Sequence, residues 1–184
     1  GKAAGGLIGE YSVGNMQGNT IDYDLSHYTF NNFTISGGND VGGLFGLLNN
    51  TSTTASQISI NLGNTANASK SVNTTVSALV TNFGGLIGNY QSSFMENTLS
   101  IKGNSGSLIQ AVSTGGTNIS GSYGGIVGII FGSSYVEIEN VSASTADMNS
   151  KASFGGLAGK INDGLLNVGN VTLTTEDHDL AADN

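Results

Sequence analysis

Gly84-Gly85-Leu86-Ile87-Gly88 has four imperfect relatives in this chain: Gly5-Gly6-Leu7-Ile8-Gly9, Gly42-Gly43-Leu44-Phe45-Gly46, Gly124-Gly125-Ile126-Val127-Gly128 and Gly155-Gly156-Leu157-Ala158-Gly159. Their first glycines lie 37, 42, 40 and 31 residues apart. Recurrence at such a period is the mark of a repeat architecture, in which each unit is completed by its neighbours. A second element follows each core. It reads apolar–polar–apolar at Ile21-Asp22-Tyr23, Ile58-Ser59-Ile60, Leu99-Ser100-Ile101, Val141-Ser142-Ala143 and Val171-Thr172-Leu173. This alternation has the period of a strand, and no stretch keeps the 3.6-residue spacing of a helix over three turns.

A third strand is expected before the next glycine pair, at Phe33-Thr34-Ile35, Val76 to Val80, Asn118-Ile119-Ser120 and, in the fourth repeat, Ala146 to Met148. Units of two or three short strands in tandem read as an all-β parallel β-helix (β-solenoid) of five imperfect repeats. Stacked rungs lie about 4.8 Å apart, so five give roughly 24 Å. The column Leu7, Leu44, Leu86, Ile126, Leu157 is expected inside the stack. The residue after each of these is also apolar, as is the residue before each glycine pair. Either the strand is covered on both faces, or the glycines turn it so that both side chains reach the core; we take the turn. The first half of each repeat is metrically fixed on this reading. Insertions gather after the second element, at Asp24 to Asn32, Asn61 to Thr75 and Lys102 to Thr117.

Composition excludes several classes of function. There are 5 basic and 13 acidic residues, a formal charge of −8, and no Cys. Every basic residue is a lysine, and five scattered lysines make no cationic footprint for nucleic acid. Without Cys there is no disulfide scaffold and no thiolate metal site. No run approaches the ~20 apolar residues of a membrane span. His27 and His178 are far apart in sequence and read as loop residues, since a zinc site needs three or four ligands. Glu137 and Glu139 alternate with Val136 and Ile138, which puts both carboxylates on one face of a strand; Asp22 and Asp24 repeat the spacing. Both pairs read as wet outer faces. The glycine clusters lack the Lys and the following helix of a phosphate loop, and no Gly-x-Ser-x-Gly elbow precedes a helix. Asn32, Asn140 and Asn170 open glycosylation sequons and read as strand-edge residues. An ice-binding face needs one Thr column through all repeats, and the polar position of the second element runs Asp22, Ser59, Ser100, Ser142, Thr172 instead.

The five cores resemble the GLUG motif, a repeat named for Gly-Leu-hydrophobic-Gly, with Ile126 in place of leucine in the fourth copy. The resemblance covers essentially the whole chain. It implies a β-helical segment of a bacterial secreted or cell-surface protein, as in adhesins and the non-catalytic parts of immunoglobulin A peptidases. It carries over no catalytic residue. The expectation is a single five-repeat solenoid over residues 1–173, cut from a longer protein, with an acidic tail or partial cap at 174–184. Its expected role is structural or adhesive and non-catalytic, without cofactor or metal. The partner expected is a host glycan or protein, bound by loops that carry His27, Tyr28 and Phe30. The alternative is a polysaccharide-acting β-helix enzyme, or an accessory segment of a secreted peptidase.

Overall fold

A computed structural model describes residues 3–15, 20–25, 32–35, 37–63, 71–77, 79–104, 107–113, 119–146 and 152–175. These residues form twenty strands, four to a rung. The first rung is β1 (Ala3–Gly5), β2 (Ile8–Val13), β3 (Thr20–Asp24) and β4 (Phe33–Ile35). The second is β5 (Gly38–Gly42), β6 (Phe45–Asn50), β7 (Gln57–Asn61) and β8 (Ser71–Val76). The third is β9 (Val80–Gly84), β10 (Ile87–Ser92), β11 (Thr98–Lys102) and β12 (Leu108–Ser113). The fourth is β13 (Ile119–Gly124), β14 (Val127–Phe131), β15 (Tyr135–Glu139) and β16 (Ser142–Ala146). The fifth is β17 (Ser153–Gly155), β18 (Ala158–Asn162), β19 (Leu165–Gly169) and β20 (Thr172–Thr175). Equivalent strands pair in parallel, giving four five-stranded sheets. We call them A to D in the order in which the chain visits them. The fold is therefore a parallel β-solenoid of five repeats.

The Gly-Gly-Leu core is the corner between sheets A and B. Two residues make that corner in every rung, for example Gly43-Leu44 and Gly85-Leu86. The chain turns there, as the turn reading requires. Leu86 and Ile87 both enter one core cluster, whereas Phe83, just before the glycines, enters another. None of the corner glycines has a positive φ. They are needed because a side chain has no room. A Cβ on Gly84 would strike the carbonyl oxygen of Ile87 as the arch folds back. One on Gly43 would strike Thr74 of sheet D, whose hydroxyl donates to the Gly85 carbonyl at 2.9 Å. One on Gly128 would sit 2.8 Å from the Phe83 oxygen of sheet A.

That close approach divides the core in two. The larger lobe holds Leu44, Leu86 and Ile126 with the inward residues of sheets B and C and part of D. The smaller lies between sheets A and D, around Val41, Val76, Phe83 and Tyr123. In it the Phe83 and Tyr123 rings lie tilted at 5.0 Å, Phe154 meets Tyr123 edge to face at 5.5 Å, and the Tyr123 hydroxyl donates to the Ala111 carbonyl at 2.6 Å. The leucine column is inside as expected for Leu44, Leu86 and Ile126, all fully buried, and Leu157 packs against the same cluster. Leu7, in the first rung, whose strands pair on one side only among the described residues, is 47% exposed.

Three expectations are corrected. A rung has four strands, not two or three. Phe33–Ile35 belongs to sheet D, Ile119 and Ser120 begin a strand of sheet A, and Val76 to Val80 straddles the corner between those sheets. Second, Val141-Ser142-Ala143 and Val171-Thr172-Leu173 are not the second element of their rungs. Ala143 pairs with Ile109 and Leu173 with Ala143, in sheet D. The second elements there are Val136-Glu137-Ile138 and Leu166-Asn167-Val168, which continue Leu99-Ser100-Ile101. Third, the first half of the repeat is not of fixed length. The B–C connection has six residues between β2 and β3 and two between β18 and β19. The C–D connection falls from nine residues between β7 and β8 to two between β15 and β16. Parts of the supposed insertions are strand: β8 ends the stretch from Asn61, and β12 lies within Lys102 to Thr117.

A buried polar ladder lines the B–C corner. The Asn50 amide donates to Ser56 Oγ at 3.0 Å, Ser56 Oγ donates to Asn97 Oδ1 at 2.8 Å, and the Asn97 amide donates to the Ser52 carbonyl at 2.9 Å. All four side chains are buried, so stacked polar groups here serve the interior as well as the outer faces.

Candidate functional site

Alternation along sheet C turns Leu99, Ile101, Val136 and Ile138 inward and Ser100, Lys102, Glu137 and Glu139 outward. The two glutamates thus share a face, as their spacing predicts. In-register pairing places Lys102 beside Glu139, and its Nζ lies 3.4 Å from Glu137 Oε2 and 3.3 Å from Glu139 Oε2. Ser100 Oγ donates to Glu137 Oε2 at 3.4 Å. Slight desolvation works against the Lys102 ammonium, but Glu139 and Glu137 outweigh it and hold its pKa above the ordinary value. One ammonium thus bridges both carboxylates. Asp22 and Asp24 stand exposed on the same sheet, two rungs away from Ser100 and Lys102 by way of Ser59 and Asn61.

The charged face runs directly into the C–D corner. Asn140 and Asn170 make that corner in the left-handed region, at φ 55° and 52°, one above the other. This backbone region is one that Asn adopts more readily than most residues. Asn140 and Asn170 are therefore corner residues between strands, and the Asn170 amide donates to Asn140 Oδ1 at 2.8 Å. Together with Asn104, Val141, Ser142 and Thr172 they line an open cavity of about 140 Å³. Amides and hydroxyls offer donors and acceptors without net charge. Such a surface can meet sugar hydroxyls or a peptide backbone.

His27, Tyr28 and Phe30, the residues expected to bind a ligand, fall in the connection between β3 and β4, outside the described residues, as does His178. That connection joins sheet C to sheet D, the same corner that Asn140 and Asn170 turn in later rungs. No Thr column crosses sheet D: the position of Thr34 continues as Thr75, Val112 and Ala146.

Two polar groupings were not anticipated from sequence. Asp40 Oδ1 accepts from the Asn82 amide at 2.7 Å and from the Asn89 amide at 3.3 Å. Burial pushes the Asp40 carboxyl above its usual range, the two amides pull against this, and Glu10 adds to the rise. Asn82 pairs with Asp40 in sheet A, while Asn89 comes from sheet B, so only the folded corner unites them. The second grouping is a cavity of about 200 Å³ lined by Met95, Ser133, Ser134, Asp163, Gly164 and Leu165. It lies where Gly164 interrupts the polar ladder, and the buried Ser134 hydroxyl has no partner there. Among the described residues no three His, Cys, Asp or Glu side chains cluster to hold a metal ion, and no helix is long and apolar enough to cross a membrane. No known protein family, curated protein or solved structure matches this chain.

Proposed function

We propose that this chain is a non-catalytic structural or adhesive repeat segment of a bacterial surface or secreted protein, and that it meets a glycan or host protein at its C–D corner. The supporting observation is the stacked amide and hydroxyl surface of Asn104, Asn140, Ser142, Asn170 and Thr172, open to solvent and mounted on paired strands. Rigid scaffolds with variable connections are the usual home of recognition residues. The C–D connections of the first three rungs are the long ones, and one of them carries His27, Tyr28 and Phe30. The five Gly-Leu-hydrophobic-Gly corners support the likeness to GLUG repeats, from which the bacterial surface setting is drawn.

The immobilised 184-residue chain should retain members of a panel of bacterial and host glycans or host matrix proteins. Asn140→Gly with Asn170→Gly, which keep the left-handed corner, should weaken that retention at least fivefold, with the thermal transition little changed. No retention by any panel member would overturn the adhesive reading. Release of soluble sugar that disappears in Glu137→Gln would overturn the non-catalytic one in favour of a polysaccharide-acting enzyme.

A further inference from the structure

The Asp40 grouping shares no residue with the C–D corner and has no part in the function proposed there. In sheet A, Val41 and Phe83 point into the smaller lobe, so Asp40 and Asn82 beside them face outward. In sheet B, Tyr90 points into the larger lobe, so Asn89 faces outward as well. The A–B corner folds these two outer faces together into a cleft. Its floor is tight, since a Cβ on Gly88 would strike the backbone of Val41. Register sets Asp40 one rung below Asn82 and Asn89, while Glu10 stands one rung below Asp40 in the sheet B column. The Asp40 carboxylate therefore has two amides on one side and a second carboxylate on the other.

Acceptors outnumber donors in this cleft. Both amides donate to Asp40 Oδ1, and among the described residues nothing donates to Oδ2. Asn89 is 7% exposed, and its Oδ1 is buried without a partner. Turning that amide over would set its oxygen against the carboxylate oxygen, so the orphan acceptor stays beside Asp40. A buried acceptor left unpaired is a cost that a donor or a cation removes. Among the described residues no lysine pairs with Asp40 or Glu10. Burial and the Glu10 charge both hold the Asp40 carboxyl above its usual range, which marks a site short of positive charge.

We propose that this cleft binds a calcium ion through Asp40 Oδ2, Asn89 Oδ1 and the Glu10 carboxylate, with water completing the shell. The donor set selects the ion. It is all oxygen, without the imidazole or thiolate that zinc prefers. Calcium takes six to eight oxygen ligands, amide carbonyls among them, in flexible geometry, whereas magnesium demands a near-ideal octahedron. The two carboxylates balance the charge of the ion, and an amide oxygen takes the place of a third. With so few protein ligands the affinity belongs to the weak end of calcium sites, a Kd of about 10⁻⁴–10⁻³ M. The bound ion would tie sheet A to sheet B across three successive rungs. This revises the expectation of a chain without metal.

The test is calorimetric titration of the chelator-treated 184-residue chain with calcium chloride, alongside thermal melts. One saturable site is expected, and about 10 mM calcium should raise the melting temperature by roughly 3–10 °C. Asp40→Asn should weaken binding at least tenfold and remove most of that rise. In chelator the same variant should melt no lower than the parent, so the loss reports binding and not folding. Glu10→Gln, at an exposed position, should weaken binding several-fold. Asp22→Asn removes the same charge from exposed sheet C and should leave the affinity unchanged. Absence of a saturable site overturns the proposal and leaves the cleft to water. An equal rise from magnesium, an unchanged Kd in both Asp40→Asn and Glu10→Gln, or an equal loss in Asp22→Asn marks diffuse screening of the net charge of −8 and overturns it as well.

Discussion

Replacing Leu86 by alanine tests the stack against an internal control. Leu86 is fully buried, with Leu44 on one side of its column and Ile126 on the other. Leu7 occupies the same corner position in the first rung but is 47% exposed and has a neighbour on one side only. Removing a fully buried leucine side chain costs about 2–5 kcal/mol, because a cavity remains as well as the lost transfer energy. The column cannot collapse freely, since Leu86 sits between two backbone hydrogen bonds of its corner, to Ile126 at 2.9 Å and from Leu44 at 2.9 Å. We therefore expect about 3 kcal/mol for Leu86→Ala and under about 1 kcal/mol for Leu7→Ala. For a chain of this size 1 kcal/mol moves the melting temperature by roughly 2–4 °C, so the expected shifts are about 6–12 °C and less than about 4 °C. Thermal melts followed by far-ultraviolet circular dichroism measure both. Because rungs couple mainly to their neighbours, the mid-stack lesion should also broaden the transition. Equal shifts for the two variants would refute the graded column and with it the stacking argument.

The remaining predictions concern other elements of the rung. Gly84→Ala forces a Cβ onto the Ile87 carbonyl and should cost several kcal/mol, whereas Gly14→Ala meets nothing within 4 Å and should stay within about 0.5 kcal/mol of the parent in urea titrations. Asn97→Ala removes the 2.8 Å acceptor of Ser56, leaving it only Asn50 Oδ1 at 3.4 Å, and takes the Asn97 amide from Ser92 Oγ and the buried Ser52 carbonyl, so a loss of about 2 kcal/mol is expected, while the exposed Asn170→Gly, which keeps the left-handed backbone, should cost under about 1 kcal/mol. The raised Asp40 pKa means that the folded chain takes up a proton before the unfolded chain does as pH falls from neutrality. Asp40 therefore contributes instability at neutral pH that is relieved on acidification, down to the usual value of 3.8. Asp40→Asn should flatten that part of the stability–pH curve without loss of stability at pH 7; a steeper curve would count against it.

The A–B corner could be read from sequence because its demand is simple. The first glycine of each pair has no room for a side chain, and the demand recurs unchanged at Gly42, Gly84 and Gly124. Sheet D is legible only in part: Phe33-Thr34-Ile35, Val141-Ser142-Ala143 and Val171-Thr172-Leu173 read as strands but not as one column, and β8 and β12 hide in the stretches read as insertions. The glycines press against its inward side, and one inward column holds Phe33, Thr74, Ala111 and Thr145 rather than an apolar series, which weakens the alternation that reveals a strand. The later rungs were misaligned because Val141-Ser142-Ala143 imitates the pattern of Leu99-Ser100-Ile101, while the shortened B–C connection moves the true equivalent, Val136-Glu137-Ile138, closer to the glycines. The face shared by Glu137 and Glu139 was legible from alternation alone. Its closure by Lys102 was not, because that contact crosses from one rung to the next, 35 residues away from Glu137. The Asp40 grouping spans two sheets, and only the folded corner brings Asn82 and Asn89 to one carboxylate.

The constancy of the Gly-Leu corner makes each turn of the chain self-synchronising. Connections elsewhere range from two to nine residues, yet every rung returns to the same phase at its next glycine pair. A length error made in one rung is therefore erased before the following rung begins. The stretch from one glycine pair to the next is accordingly a transferable cassette. Copying it should lengthen the rod by one spacing, and exchanging its C–D connection should change what the rod displays without retuning its neighbours.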